Sequence, residues 1–271
     1  MKLLTHNIDG CVEAMTSLDD EVYVVRSGSQ QQIDVYSAKG FTLQRHIDVP
    51  RSGYNWGLAA CPHHRCLYMS DSNRNSVLRA PLSGMGPTKT WAVPGCPVGL
   101  SVNGYHNVVV ACCGANAIRE FTTDGTPVRE ITGQSGATDP WHAVQLSTGD
   151  YVVVSKLPGV VSVLKPDGQV VSSYGRSQAE DEMKYPTGLA VTPNDLILVA
   201  DTNNNRLLSI RGARGSVQEV CLPAVEGIQL KMPLCLCLDR SRDRLYVGGD
   251  GRVWVLDNAR LVYDTDALKE A

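Results

Sequence analysis

The chain has 271 residues, 43% of them hydrophobic, and a formal net charge of −3. That is enough apolar material for a sizeable core, and too little charge of either sign to draw the whole molecule toward DNA, RNA or acidic lipid. No run of about 18 apolar residues suggests a membrane span, and the first ten residues contain no apolar signal core, so a cytoplasmic protein with no membrane or DNA partner is expected.

Read in order, the chain repeats itself. Short apolar strands begin around Val12, Gly57, Gly99, Ala143, Gly188 and Cys235, in steps of 45, 42, 44, 45 and 47 residues. A second phase agrees: Arg26, Asp71, Cys112, Ser155, Asp201 and Gly249 each close the second strand of their copy. Periods of this length identify a repeat architecture before any other signal is weighed.

Each copy holds four short apolar runs. In the third these are residues 99–102, 108–111, 117–121 and 128–131. Runs rich in Val, Ile and Leu and bounded by Gly, Asp, Asn and Pro read as strands. The third and fourth runs are joined by hairpin signals at Lys39-Gly40, Asp124-Gly125 and Asp167-Gly168. No window of helical length shows a 3.6-residue apolar period. Six copies of four antiparallel strands predict an all-β, six-bladed β-propeller forming one domain over 1–271. Residues 2–8 stand where the outermost strand of the last blade is needed, which removes a free sheet edge; residues 260–263 are the rival closing strand.

The nine cysteines are an odd number, lie mostly in strand contexts and include no Cys-x-x-Cys pair. They read as small buried hydrophobes, not as a zinc site or a disulfide framework. Cys61 and Cys66 flank the turn Pro62-His-His-Arg65 and are positioned for a bridge only in an oxidising compartment.

Residues 185–210, above all Leu198-Val-Ala-Asp-Thr-Asn-Asn-Asn-Arg-Leu207, closely resemble the NHL repeat, and Leu67-Tyr-Met-Ser-Asp-Ser-Asn-Arg-Asn-Ser-Val77 resembles it well. The pattern extends over the chain. It is similar to the six-bladed NHL propeller at the C-terminal end of tripartite-motif ubiquitin ligases, without room for their RING. That resemblance implies a recognition module for protein or RNA.

The Asx residues of the strongest copy have a structural reading of their own. Asn203, Asn204 and Asn205 are turn formers, and Asp201 with Arg206 suits a carboxylate–guanidinium pair across the turn. Of six histidines, His63, His64 and His106 fall on turns at one end and His142 at the other, so the four cannot share one metal. With no Gly-x-Ser-x-Gly, His-Glu-x-x-His or P-loop pattern present, no cofactor, no metal and no enzymatic activity are expected. A propeller hydrolase or lyase is the alternative.

The connections leading into the first strands and the turns between second and third strands share one face of a propeller. The former carry Tyr54, Asn55 and Trp56, then Trp141 and His142, then Tyr185. The latter carry Asn73 and Arg74, Lys156, Asn203 and Arg252. Aromatics beside cations are the usual makings of an interface hot spot, so a protein or peptide partner is expected on this face. The alternative reading of Trp56 and Trp141 is as wedges packed between blades. Arg26, Arg74, Lys156, Arg206 and Arg252 make the face moderately positive, which keeps single-stranded RNA as the alternative ligand.

Overall fold

The apolar runs become strands, and the turn formers between them become tight connections, in a computed structural model that describes residues 2–27, 32–49, 57–83, 87–132, 139–175, 182–211, 216–220 and 229–258. Tyr54, Asn55, Trp56 and the rival closing segment 260–263 lie outside the described residues.

The strands are β1 (Lys2–Leu18), β2 (Glu21–Arg26), β3 (Gln32–Ser37), β4 (Leu43–Asp48), β5 (Leu58–Cys61), β6 (Cys66–Asp71), β7 (Ser76–Pro81) and β8 (Lys89–Ala92). They continue with β9 (Pro97–Val102), β10 (Val108–Cys112), β11 (Ala117–Phe121), β12 (Pro127–Thr132), β13 (Pro140–Gln145), β14 (Tyr151–Ser155), β15 (Val160–Leu164) and β16 (Val170–Tyr174). The last are β17 (Pro186–Val191), β18 (Leu196–Asp201), β19 (Arg206–Arg211), β20 (Val217–Glu219), β21 (Cys235–Asp239) and β22 (Arg244–Asp257). All pairings are antiparallel, and β5–β8, β9–β12, β13–β16 and β17–β20 are four-stranded blades. The molecule is an all-β propeller.

The expected count of six separate blades is corrected: the strands form five sheets, the fifth having six strands in the order β21-β22-β1-β2-β3-β4. The reason lies in two long strands. Residues 2–7 of β1 pair with residues 252–257 of β22, and residues 12–18 of β1 pair with β2. The register shifts between Asn7 and Cys11 without ending the strand. Gly10 makes this bend possible: its φ is +85°, and a Cβ there would lie 2.5 Å from the carbonyl oxygen of Ser27. The last copy therefore runs into the first with no loop between them. The closing strand comes from residues 2–7.

Packing explains the unbroken apolar runs. Each sheet is covered on both faces, and alternate residues of one strand serve opposite neighbours. In β10, Val108, Val110 and Cys112 pack toward Tyr68 and Val77 of the preceding copy. Val109 and Ala111, between them, pack toward Tyr151 and Val153 of the next. Six such clusters, each joining two consecutive copies, run round the ring of described residues.

The innermost strands approach one another closely. A Cβ on Gly99 would lie 2.4 Å from the Trp141 carbonyl oxygen, and one on Gly188 2.9 Å from Cys235 Cα.

Candidate functional site

On the face reached by the β6–β7 and β18–β19 turns, asparagine does structural work first. Asn75, Asn116 and Asn205 each adopt a left-handed backbone, with φ of 49°, 49° and 54°. Each side-chain oxygen accepts a backbone N–H from the connection into the next copy: Cys96, Asp139 and Met232, all at 2.8 Å. The buried Asp201 carboxylate accepts from Arg206 Nε at 2.8 Å and from Lys184 N–H at 2.7 Å. The turn and the connection are thus tied to each other in several copies.

This clamp positions Tyr185, which follows Lys184 and is itself left-handed at φ 61°. Lys156, at the end of β14, lies with its Nζ 3.5 Å from the ring centre of Trp141 in β13 and 4.2 Å from that of Tyr185. An ammonium held between two ring faces is a cation–π sandwich spanning two neighbouring sheets. Trp141, Lys156 and Tyr185 are all half-buried, so Trp141 is a wedge between sheets and a surface group at once.

The remaining expected residues stand apart from that cluster. Asn73 and Arg74 are exposed on the β6–β7 turn, where the Arg74 N–H donates to Asp71 Oδ1 at 3.0 Å. Asn203 is exposed beside Asp201, and Arg252 is exposed on β22. The positive face is weaker than the sequence suggests. Arg26 is bound to the buried Asp34 at 2.6 Å, Arg206 to Asp201 at 2.8 Å, and Lys156 is covered by rings.

His142 is a half-buried packing residue. It lies in the axial channel, on the innermost strand β13. Leu189 N–H donates to its Nδ1 at 3.2 Å, and its Nε2 lies 3.1 Å from the Leu100 carbonyl oxygen. Those partners require the proton on Nε2. Burial pushes its pKa down to about 4, against the opposing bond to Leu100. His142 is a neutral bridge between three innermost strands.

The other end of the channel holds features that sequence reasoning missed. A groove of ≈ 200 Å³ is walled by all the innermost strands and shares lining residues with one of ≈ 530 Å³ between the β9–β10, β13–β14 and β17–β18 hairpins. Arg240 lines both; in the sequence it is one more charged residue in a turn, with nothing to single it out. On the same face His63 stacks on His106, ring centres 4.3 Å apart, with His64 edge-on to both. Among the described residues no group of three or more His, Cys, Asp or Glu is arranged to hold a metal. No described helix is long and apolar enough to cross a membrane.

Comparison with known proteins agrees with this geometry at the level of fold. An NHL repeat family model matches residues 183–208. It covers one repeat and establishes no relationship to tripartite-motif ligases. No curated protein sequence matches the chain. Among solved structures, virginiamycin B lyase from Staphylococcus aureus is similar with 13% identity, covering 94% of this chain and 99% of that one at a TM-score of 0.68. A streptogramin B lyase is similar with 11% identity, 94% and 96% coverage and a TM-score of 0.69. The WD40 propeller domain of Doa1 is similar with 14% identity, 92% and 93% coverage and a TM-score of 0.64. The expectation that the chain is no enzyme is corrected by these likenesses: lyases share this fold, so the architecture and missing motifs do not separate binding from catalysis.

Proposed function

We propose that this propeller is a recognition module that binds a protein or peptide partner on the face carrying Trp141, Lys156 and Tyr185. The carrying observation is the sandwich itself, with Lys156 Nζ 3.5 Å and 4.2 Å from two ring centres. Its groups are fixed before any ligand arrives, which lowers the ordering cost of binding. Tyr185 at φ 61° shares its left-handed backbone with Cys96, Asp139 and Met232 on the equivalent connections, so the repeat itself presents this ring on the face. Exposed Arg74, Asn73, Asn203 and Arg252 supply polar groups around the same face. Tyr54, Asn55, Trp56 and His142 complete the proposed set, His142 by fixing the strand that carries Trp141.

Single-stranded RNA is the second reading, favoured by the exposed Arg74 and Arg252. It is disfavoured by the ion pairs of Arg26 and Arg206. We also read the six-stranded sheet as two blades joined through β1, making six in all; a hydrophobic cluster that sets Val12 and Val22 against Cys235 and Tyr246 supports that count. A cytoplasmic location is supported by eight free cysteines among the described residues.

Panning a random peptide library on the folded protein supplies a ligand with which to test the site. Trp141→Ala and Arg74→Ala are expected to weaken the selected peptide by about 30-fold, as for a hot-spot truncation of roughly 2 kcal/mol. His64→Ala on the opposite face is expected to leave it unchanged. Loss in His64→Ala alone inverts the site. A random single-stranded RNA pool in a filter assay at two salt concentrations tests RNA: tight, salt-sensitive retention replaces the peptide reading.

A further inference from the structure

We propose that Cys96 and Cys113 are a redox-active thiol pair, which closes to a disulfide when a small disulfide such as oxidised glutathione accepts the electrons and opens again under reduction. In the register of the third copy Cys112 stands opposite Pro97, so the next position outward sets Cys113 opposite Cys96. Opposite residues of an antiparallel pair have Cα atoms about 4.5–5.5 Å apart, inside the range of about 4.4–6.8 Å that a disulfide spans.

The contacts agree with that placement. Cys113 donates its backbone N–H to the Cys96 carbonyl oxygen at 3.2 Å, and its thiol to the same oxygen at 3.5 Å. A Cβ added to Gly114 would lie 3.3 Å from Cys96 Cβ, so the Cys96 side chain leans over this turn. Burial, and after it the neighbouring Cys96 sulfur, push the Cys113 thiol up to about 12.

Among the described cysteines this pair alone combines proximity with access. Both thiols are half-buried. Cys61 and Cys66 also face each other, across β5 and β6, but both are buried in the cluster between the second and third copies. Strand alternation turns Cys112 into that same buried cluster, while Cys96 and Cys113 pack together on the other side of the sheet. Cys235 and Cys237 are buried, and half-buried Cys11 has Asp250 as its partner.

The exchange has two steps. The Cys96 thiolate attacks one sulfur of glutathione disulfide; a bond forms to Cys96 and a glutathione thiolate leaves. Cys113 gives its proton to solvent, attacks the Cys96 sulfur and expels the second glutathione thiolate. The dithiol loses two electrons and two protons, and glutathione disulfide gains them as two reduced molecules. Cys96 goes first because the Cys113 proton is held more tightly. Once Cys96 is in the mixed disulfide its charge is gone, and with it one cause of that hold. The finished bridge ties the β10–β11 turn to the connection that Asn75 of the preceding copy already holds through Cys96 N–H.

The pair does not depend on the peptide-binding reading, and the test reads covalent state alone. The folded wild-type protein is equilibrated with equal millimolar concentrations of reduced and oxidised glutathione, quenched with acid, alkylated in urea and cut with chymotrypsin, which cleaves after Tyr105, between the two cysteines. Most of the protein is expected to carry a disulfide joining the Cys96 peptide to the Cys113 peptide, with the alkyl group on Cys112, and dithiothreitol is expected to remove the bridge. Cys113→Ser, checked for folding by its thermal melt, is expected to stop at the first step and keep glutathione on Cys96. The proposal is overturned if the wild type stays reduced, if it accumulates glutathione on Cys96 without bridging, or if the alkyl group sits on Cys113 and Cys112 carries the bridge.

Discussion

Leu189 donates its backbone N–H to Nδ1 of His142 across 3.2 Å, so a side chain takes the place of a strand ladder between two neighbouring sheets. The same ring reaches the Leu100 carbonyl on its other side. Replacing His142 by Phe leaves both backbone groups without that partner and is expected to cost about 1–3 kcal/mol in a urea denaturation. The pH dependence follows from the low folded-state pKa of about 4 against 6.5 for an ordinary histidine. The unfolded chain takes up the proton first, so the stabilisation is complete above about 6.5 and lost as the pH falls toward 4. A His142→Gln variant, compared with wild type at pH 7 and pH 5, is expected to lose this part of the slope.

Gly188 has no room for a side chain. The nearest atoms to an added Cβ are backbone, with Leu234 O at 2.9 Å and Leu236 N at 3.1 Å, and backbone cannot rotate away. Gly188→Leu is expected to lower stability by about 1–3 kcal/mol, measured as a shift in denaturation midpoint. An unchanged midpoint would contradict the packing of β17 against β21.

Glu120 is a buried carboxylate that accepts from Asn103 Nδ2 at 2.9 Å, Asn107 Nδ2 at 2.7 Å and Tyr151 Oη at 2.7 Å. Burial alone would raise its pKa; the three donors outweigh this and hold it below the usual 4.5. Its contribution is therefore present above the unfolded carboxylate value and lost as the pH falls below it. Glu120→Ala strands three donors and is expected to cost about 3 kcal/mol, whereas Tyr151→Phe is expected to cost about 1 kcal/mol. Equal losses in the two variants would refute the network.

Burial raises the thiols of Cys112 to about 11 and of Cys113 and Cys237 to about 12. These residues are expected to resist iodoacetamide in the native protein at pH 7.5 and to react once urea exposes them. Mass spectrometry of the tryptic peptides checks this; rapid native labelling of Cys112 or Cys237 would contradict their burial.

Removing residues 1–8 uncovers the edge formed by residues 252–257, to which they pair. The thermal midpoint is expected to fall by roughly 5 °C or more. A truncated protein melting like the full chain would mean the strand contributes little to closure.

The repeat phases were legible because burial on both faces writes itself as unbroken apolar runs such as Val108-Val-Val-Ala-Cys112, and because turns need Asn, Asp and Gly at fixed offsets. Asp201 with Arg206 was readable as a pair for the same reason. Other features depend on contacts that no local pattern encodes. Gly40 seemed the hairpin residue, yet Phe41 takes the left-handed conformation, at φ 49°, with its ring stacked on Tyr36. The fusion of first and last copies rests on Gly10 fitting against Ser27, which is distant in sequence. Trp141, Lys156 and Tyr185 were assignable to one face, but their meeting requires the spacing between two sheets. Arg240 looked like a solvated turn residue, and only the channel beneath it gives it a context.

The pairing of residues 2–7 with 252–257 also sets an order of events in time. On the ribosome β1 emerges before every other strand of this ring, and its outer half finds its partner last. Until the final copy emerges, β1 can hold only its inner half, through β2, and the nascent ring presents an open edge at each end. Contacts of such long sequence separation slow folding and prolong exposure to mispairing. Synthesis halted before residue 252 would leave a curved stack of blades with sticky ends, a natural substrate for chaperones or for joining another unfinished copy.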